Sequence, residues 1–306
     1  MRVLMVASKQ PMAHNWGHRF LREEFANHAH TYFYGKGYVE PFDRRRMIND
    51  VEDEHGPFDV VVTNMVKYCR YWLDRKGMNR VKAKKAHIVV DYHPRKNWDN
   101  IHDAVFNAHR YDALFAHTLA EYNHLRARRT EPVFYLPYGV NTSVYKDPGG
   151  KRDIDVMAVF SYGSGYPNRV HVRDLLEKDM QHTEGIKIQV THLIHKPYVR
   201  ALQRSKIFVG SVNWLKTLTM KVTEAMACGC LYMTDRPDDL DVQGFKDGEH
   251  LVLYDGVKDL RSKILYYLKN EEERKQIALS GKFFVQQFFS NELMVKRFLR
   301  NMETVL

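Results

Sequence analysis

The sequence predicts two α/β lobes, each built on a doubly wound parallel sheet. In both halves of the chain, short runs rich in β-branched and aromatic residues alternate with longer mixed segments, as strands and helices do in this fold class. The length of 306 residues also accommodates two domains of common size, each with its own core. The predicted strands are residues 3–7, 31–34, 60–63, 88–92, 113–116 and 133–136 in the first half, and residues 156–160, 188–191, 207–212, 231–234 and 251–253 in the second.

A linker near residue 150 is predicted to separate the two lobes. Residues 146–152 combine proline, glycine and charge, which is typical of a connection between domains. We therefore expect an N-terminal domain of residues 1–150 and a C-terminal domain of residues 151–290. Residues 291–306 place apolar side chains at helical spacing, so a final helix is expected there.

The composition indicates a soluble protein with an anionic partner. Hydrophobic residues make up 44% and charged residues 27% of the chain, and no run approaches the length of a membrane span. Much of the net charge of +10 comes from residues 67–96, where ten Lys or Arg stand against two Asp. Three cysteines do not make a disulfide framework, which favours a cytoplasmic location. Cys228 and Cys230 lack the second pair that a zinc site requires, so we expect no metal.

Residues 220–235 form the most informative motif of the chain. The segment MKVTEAMACGC predicts a helix that ends at a glycine, and the apolar run after it predicts a buried strand. Glu224 lies in the first turns of this helix, where a carboxylate accepts hydrogen bonds from sugar hydroxyls, while Lys221 and the free helix N–H groups suit phosphate oxygens. The motif therefore indicates a nucleotide-sugar site. The alternative is ordinary helix-to-strand packing with a surface Glu and Lys.

The order of further residues around this motif resembles the donor domain of the glycosyltransferase group 1 family, most closely its spore-maturation-protein-like branch. The residues that carry the resemblance are Leu136 to Asn141 and Tyr145 upstream, and Asp239, Leu240, Phe245, Gly248, Glu249, Leu260, Glu273, Arg274 and Gly281 downstream. The resemblance implies the GT-B architecture, in which two Rossmann-like lobes with parallel sheets face each other across a cleft. It also implies that the last helix crosses back to the first lobe.

The same resemblance implies the activity and the donor site. The family transfers a sugar from a nucleotide diphosphate donor, usually a UDP-sugar and with retention of configuration, and needs no further cofactor. Its matching glutamate holds the ribose hydroxyls, which assigns Glu224 to the donor together with Thr223 and Lys221. A second glutamate of the family signature is Lys216 here, which leaves the donor sugar open.

Two further turns are candidates for donor contacts. Ser161 and Gly163 follow a predicted strand, and Arg169 begins the next helix, where it suits a diphosphate. Lys196 and Tyr198 occupy the analogous turn after the next strand, with Tyr198 where relatives place a residue near the base. The alternative for both segments is a plain turn between a strand and a helix.

The predicted catalytic residues lie in the first lobe. Asp91 and His93 end the fourth strand, where the resemblance implies a histidine near the transferred sugar, and such groups hydrogen-bond the sugar or deprotonate the acceptor. His14 follows the first strand and is a secondary candidate. The alternative is a pair at a strand end that orders a loop.

The basic segment of the first lobe leads to the acceptor hypothesis. Positive side chains mixed with aromatic ones suit phosphate contacts and base stacking, and the candidates are Tyr71, Trp72, Arg80, Lys82, Lys84, Lys85 and Arg95. We expect the acceptor to be hydroxymethylated pyrimidine in double-stranded DNA, as in the phage-type DNA-modifying glycosyltransferases that the chain resembles, acting in the host cytoplasm. The alternatives are a small-molecule, lipid-linked or cell-surface glycan acceptor, with the basic patch against an anionic membrane, and a non-catalytic nucleotide- or DNA-binding protein.

Overall fold

The computed structural model describes residues 1–7, 16–36, 38–39, 43, 45–64, 77–90, 92, 98–160, 167–183, 185–213 and 215–306. They divide into two compact units, one formed by Met1–Pro137 with Glu292–Leu306 and the other by Tyr138–Asn291. No helix in these ranges is long and apolar enough to cross a membrane.

The first unit contains a parallel sheet of six strands. They are β1 (Arg2–Val6), β2 (His30–Tyr34), β3 (Val60–Asn64), β4 (Lys84–Val89), β5 (Ala113–Ala116) and β6 (Val133–Tyr135). Their order in the sheet is β2-β1-β3-β4-β5-β6, and every neighbouring pair is parallel. The apolar run of β3 is buried at all five positions because helices cover both faces of such a sheet.

The helices of the first unit follow the strands in the expected alternation. They are α1 (Trp16–His28), α2 (Ile48–His55), α3 (Trp98–His109) and α4 (Leu119–Arg128), with a short 3-10 turn at Met78–Arg80. Thr118 begins α4 with a capping box, since its hydroxyl accepts from the Glu121 amide at 3.2 Å and the Glu121 carboxylate accepts from the Thr118 amide at 3.1 Å. Because the capping box joins residues only three positions apart, the local sequence fixes the start of α4.

The fourth strand starts earlier than the sequence predicts. Residues 88–92 were expected, but β4 begins at Lys84, whose amide donates to the Asp59 carbonyl at 3.1 Å. The Lys85 amide donates to the Asp112 carboxylate at 2.8 Å. Backbone pairing therefore extends the strand into a charged stretch that apolar patterning does not detect.

The second unit repeats the scheme with five parallel strands. They are β7 (Ile154–Ala158), β8 (Ile188–Val190), β9 (Ser205–Val209), β10 (Leu231–Thr234) and β11 (Val252–Leu253), arranged as β11-β10-β9-β7-β8. Its helices are α5 (Pro167–Asp174, continued by a π-helical turn at Leu175–Met180), α6 (His195–Arg204), α7 (Met220–Ala227), α8 (Gly256–Lys269) and α9 (Glu271–Phe288).

Each sheet has one point at which the direction of strand order reverses. In the second unit this switch point lies between β7 and β9, which are neighbours in the sheet but not along the chain. Ligands of open parallel sheets bind outside the carboxyl ends of the strands at such a point. The described residues that leave these two ends are 159–160 and 210–213.

Helix α7 is held against α9 by a close approach at Gly281. A Cβ at this position would meet the His250 carbonyl oxygen and the Met226 methyl group. Only a glycine lets the two segments come this close. This contact fixes the position of α7, the helix of the motif at residues 220–235.

The last helix, α10 (Asn291–Glu303), belongs to the core of the first unit. Met294, Val295, Phe298 and Met302 are buried in one cluster with residues of β1, α1, β3 and β5. The Phe298 ring centroid lies 4.3 Å from that of Phe115. The second unit begins at Tyr138, before the segment 146–152 on which the predicted boundary rests, because Val140 pairs with Phe289 and Asn291 through backbone hydrogen bonds.

Candidate functional site at the carboxyl edge of the second sheet

Glu224 is a buried carboxyl group held by two tyrosines. It lies in the middle of α7 with 7% of its surface exposed. The Tyr198 hydroxyl of α6 donates to its Oε2 at 3.1 Å, and the Tyr145 hydroxyl also hydrogen-bonds the carboxylate. Both tyrosines are themselves buried, so the three side chains form a closed polar cluster beneath the switch point.

Burial gives Glu224 an unusual acidity. It raises the pKa of Glu224 from 4.5 to about 7, although the Lys221 charge and both tyrosine hydroxyls act to lower it. The pKa values of Tyr145 and Tyr198 are also raised, first by burial and then by the Glu224 charge, so both hydroxyls remain protonated donors. The ligand-free site therefore holds a carboxyl group that gains or loses its proton near neutral pH.

Two cations lie close together at the start of α5 and α7. Arg169 has 5% of its surface exposed, and its Nη2 donates to the Ser211 carbonyl at 3.2 Å, across the switch point. The pKa of Lys221 is lowered by burial and then by the Arg169 charge, and the Glu224 charge offsets part of this. A pair of like charges in a partly dry site favours an anionic ligand between them.

The backbone at the start of α7 adds to this preference. Thr219 occupies the N-cap position without a side-chain capping bond, and the first turn contains no acidic residue. Its N–H groups and the helix dipole therefore attract negative charge, as in many phosphate sites. Arg169, Lys221 and this helix end together provide the chemistry for a diphosphate.

Two aspartates hold the loop that leads into α7. Asp235 at the end of β10 accepts from the Val212 amide at 2.7 Å and from the Ser211 hydroxyl at 3.2 Å. The fully buried Asp239 accepts from the Leu218 amide at 2.9 Å, and burial raises its pKa to about 6. Lys216 lies between these anchors, exposed and with a φ of +52°.

The other predicted donor residues differ in their surroundings. Thr223 is buried, and its hydroxyl donates to the Met220 carbonyl at 3.0 Å, which directs it to its own helix. Lys196 is exposed in the first turn of α6, two residues before Tyr198 of the buried cluster. Ser161 and Gly163 lie outside the described residues.

The described Lys and Arg residues of the basic segment 67–96 lie before or at the start of β4, at the amino edge of the first sheet. Lys84 and Lys85 begin β4, and the Lys84 ammonium group pairs with Asp112 at 3.3 Å. Lys82 pairs with Asp53 at 3.0 Å. These lysines are therefore at the opposite ends of the strands from the carboxyl edge, where ligands of such sheets bind. Arg80 is exposed in the preceding 3-10 turn.

Several predicted first-lobe residues cannot be located. The catalytic candidates His14, Asp91 and His93, and the acceptor candidates Tyr71, Trp72 and Arg95, lie outside the described residues. Within the described residues, no group of three or more His, Cys, Asp or Glu is arranged to hold a metal ion. Cys228 and Cys230 are buried thiols.

The structure reveals two site residues whose roles the sequence did not indicate. The contact of Tyr145 with Glu224 joins residues far apart in the chain, and the anchoring role of Asp235 depends on the loop from a neighbouring strand. A polar residue directly after a predicted strand is the only local signal for Asp235. Tyr145 was singled out only as part of the family resemblance, and nothing in its local sequence indicates the contact with Glu224.

Comparisons with known proteins bear on the family and the fold of this chain. Residues 156–300 match a family described as glycosyl transferase-like. This match includes Arg169, Tyr198, Lys221 and Glu224, and it does not extend to the spore-maturation-protein-like branch or to a phage enzyme. No curated protein sequence matches the chain.

Solved structures share the arrangement of two parallel-sheet lobes that defines the GT-B fold. Sucrose-phosphate synthase from Thermosynechococcus elongatus has a TM-score of 0.71 at 11% identity, over 99% of this chain and 98% of that one. HepE from Anabaena, in complex with UDP-glucose, has a TM-score of 0.70 at 11% identity, over 99% and 100%. A glycosyltransferase from Rickettsia africae has a TM-score of 0.64 at 11% identity, over 99% and 98%.

Proposed function

We propose that this protein is a nucleotide-sugar-dependent glycosyltransferase that uses a UDP-sugar and transfers the sugar with retention to an acceptor hydroxyl. The family match over residues 156–300 and the shared fold support this proposal. The observation that carries the donor proposal is the cluster at the switch point of the second unit. There, Arg169 and Lys221 stand beside the uncapped start of α7, and Glu224 lies one turn further on.

The charges of this cluster match the parts of a nucleotide diphosphate. The two cations and the helix N–H groups neutralise the diphosphate, and this matters most when the sugar–phosphate bond breaks and negative charge moves to the leaving group. Ionised Glu224 accepts hydrogen bonds from vicinal hydroxyls such as those of ribose. Two effects of a bound donor act on the pKa of Glu224 in opposite directions. The negative charge of the diphosphate raises this pKa, whereas hydroxyls that donate to the ionised carboxylate lower it.

Uridine is proposed as the base because HepE, which shares this fold, was solved with UDP-glucose. The sugar itself is left open by Lys216. In the family that the chain resembles, this position is a carboxylate, which accepts hydrogen bonds from sugar hydroxyls. The exposed ammonium group of Lys216 would instead donate hydrogen bonds to the sugar.

For the acceptor, the proposal is a hydroxyl on a small molecule or glycan. The sequence favoured hydroxymethylated pyrimidine in DNA on the strength of the basic segment 67–96. Of that segment, Lys82 and Lys84 are engaged by acidic neighbours and lie at the amino edge of the first sheet. This position and these ion pairs make both lysines weaker candidates for DNA contacts, so we rank the DNA acceptor second and retain it in the test below.

The test measures nucleotide release from UDP-, GDP- and ADP-sugars, each alone, with a panel of sugar and glycan acceptors, and with hydroxymethylpyrimidine DNA. The variants are Glu224→Gln and Lys221→Met, with exposed Lys269→Ala as the matched control. We expect UDP release that rises with a hydroxyl acceptor, and a loss of donor affinity of about tenfold or more in both site variants, since each removes a charged hydrogen bond.

The outcomes separate the proposals. Equal turnover of Lys221→Met and Lys269→Ala would refute the assigned donor site. Release that requires DNA would restore the DNA acceptor, and donor binding without release from any acceptor would favour the non-catalytic alternative. The anomeric proton coupling of the product, read by NMR, decides between retention and inversion.

A further inference from the structure

A basic cleft of about 470 Å³ lies within the second unit, at the amino edge of its sheet. Lys206 is the second residue of β9, and Arg152 precedes β7 by two residues, so the cleft lies at the other end of the strands from the switch point. Gly229, two residues beyond the end of α7, also lines the cleft. The cationic residues that line the basic cleft are Lys151, Arg152, Lys206, Arg274, Lys275 and Lys282.

These six cations are matched by two acidic lining residues, Asp147 and Glu271. Asp147 is shared, because it lies 3.0 Å from Arg152 and 3.5 Å from Lys282. Positive charge therefore exceeds negative charge around Asp147. An arrangement of this kind attracts anions.

Glu271 is shared in the same way. Its Oε1 lies 3.0 Å from the Lys275 ammonium group and 3.4 Å from the Arg274 guanidinium. Lys206 pairs instead with Asp155 at 2.6 Å, outside the lining of the cleft. Surface lysines with shared partners are common, so the lysines alone do not make a site.

Arg274 is the feature that distinguishes this cleft from a solvated basic face. It lines the cleft, yet only 4% of its surface is exposed, and its Nε has no hydrogen-bond partner among the residues that the structure describes. Burial lowers the pKa of Arg274, and the charge of Arg152 lowers it further against the opposing effect of Glu271. A buried guanidinium with unused donors is costly, and a planar or tetrahedral oxyanion supplies the missing acceptors.

Arg152 has a different role at the same cleft. Its Nη2 donates to the Cys228 carbonyl at 2.7 Å, and its Nη1 donates to the Ser205 carbonyl at 2.5 Å. It therefore closes the carboxyl end of α7 and contributes its charge to the cleft without being available as the main ligand. Arg274 remains the guanidinium with donors to spare.

A glycine turn forms the rim of the cleft. Gly149 and Gly150 have φ values of +73° and +109°, and a Cβ at either position would meet no heavy atom within 4 Å. The open space beside Gly150 and the exposed ammonium group of Lys151 give a ligand access to the backbone. Packing against other residues therefore does not explain the two glycines of residues 146–152, the segment predicted to be a linker.

We propose that the basic cleft binds a phosphate group on a ligand other than the sugar donor, with Arg274 as the principal contact and Lys151, Lys275 and Lys282 around it. The cleft is larger than one phosphate group, so it also has room for part of the molecule that carries it. The site lies at the carboxyl end of α7, whose other end forms the donor cluster. A phosphorylated soluble molecule and a phospholipid headgroup present the same chemistry.

The test uses the full chain and pyrophosphate as the probe, titrated by calorimetry in chloride buffer of constant ionic strength. The variants are Arg274→Gln and the double variant Lys151→Ala with Lys282→Ala, whose exposed or half-buried side chains can change without opening the core. Lys269→Ala is the lysine control. Lys221→Met weakens the donor cluster, so binding that keeps its affinity in this variant belongs to the basic cleft.

We expect saturable binding in the wild type, in Lys269→Ala and in Lys221→Met, and a rise in Kd of about tenfold or more in both cleft variants. Thermal unfolding of Arg274→Gln checks that the second unit stays folded. Sedimentation with phosphatidic acid vesicles, compared with neutral vesicles, then identifies the source. Loss of vesicle binding in the cleft variants indicates a lipid headgroup, and pyrophosphate binding without vesicle binding indicates a soluble phosphate.

Equal pyrophosphate affinity in the wild type and in both folded cleft variants would overturn the proposal. So would binding that disappears in Lys221→Met alone, because it would assign the anion to the donor cluster. Failure of the donor proposal leaves this result unaffected, since the cleft variants contain an intact Arg169, Lys221 and Glu224.

Discussion

Replacing Glu224 with glutamine should remove a pH-dependent cost from the folded state. The carboxyl group has a pKa of about 7 in the folded protein and 4.5 as an ordinary side chain. In the window between these values the folded state keeps a proton that the unfolded chain has lost. Stability is therefore greatest below pH 4.5 and falls as the pH rises towards 7.

The size of this change in stability follows from the pKa shift of Glu224. Linkage predicts that ionisation of Glu224 lowers the free energy of unfolding of the wild type by about 2.5 kcal/mol between about pH 5 and about pH 8.5. Glutamine has the same shape and stays neutral, and its amide still reaches the hydroxyls of Tyr145 and Tyr198. The difference in stability between Glu224→Gln and the wild type should therefore grow by that amount across this range, in favour of the variant.

Hydrogen exchange measures this difference. Because the chain has two units, a single unfolding transition of the whole protein would not isolate the second one. The backbone amides of α7 and β10 report on the second unit directly. Rates are corrected for the intrinsic dependence of exchange on pH. The same variant should lose donor affinity, because an ionised carboxylate accepts stronger hydrogen bonds from hydroxyl groups than a neutral amide does. A stability difference that stays constant with pH would refute the assignment of a buried, proton-binding carboxyl group.

Three further substitutions test the frame around the site. Burial raises the pKa of Asp239 from 3.8 to about 6, so the wild type should lose about 3 kcal/mol of stability as the pH rises from about 3 to about 7.5. Asp239→Asn should remove this loss, and an unchanged pH dependence of exchange in β10 would contradict this. Gly281→Ala should destabilise the second unit by about 1–3 kcal/mol, since a Cβ there meets a backbone carbonyl, whereas exposed Leu279→Ala on the same helix should cost little; equal midpoints in urea would refute the close approach. Phe298→Ala should destabilise the first unit by about 3–5 kcal/mol, with exposed Arg300→Ala as the control; equal exchange rates of the β1 amides in the two variants would show that α10 is not needed there.

The fold was largely readable from local patterns. Nine of the eleven predicted strands lie within observed strands for more than half of their length, because alternating apolar runs and helical segments are set by nearby residues. Strand β4 shows the limit of this reasoning: Lys84 and Lys85 join the sheet through backbone bonds to Asp59 and Asp112. Pairing with distant residues overrides the preference of a charged segment.

The candidate site was readable in part for the same reason. Lys221 and Glu224 stand one turn apart on a helix between two buried strands, which is a local pattern, and the match over residues 156–300 covers them. The basic residues near Lys84 were grouped by their charge. Charge along the chain does not say which end of a strand a residue occupies in space, and the structure places these lysines at the amino edge.

The sequence by itself determined the order of strands and helices, the two-lobe architecture and the helix that carries Lys221 and Glu224. Only the tertiary structure decided that Tyr145 meets Glu224, that Arg169 reaches across the switch point to Ser211, and that Arg274 lies buried in a basic cleft. The physical reason is the separation along the chain over which each effect acts. Helix and strand preferences arise among neighbours in the chain, whereas the burial and charge that set a pKa, or leave a guanidinium without acceptors, depend on segments that meet only in the folded protein.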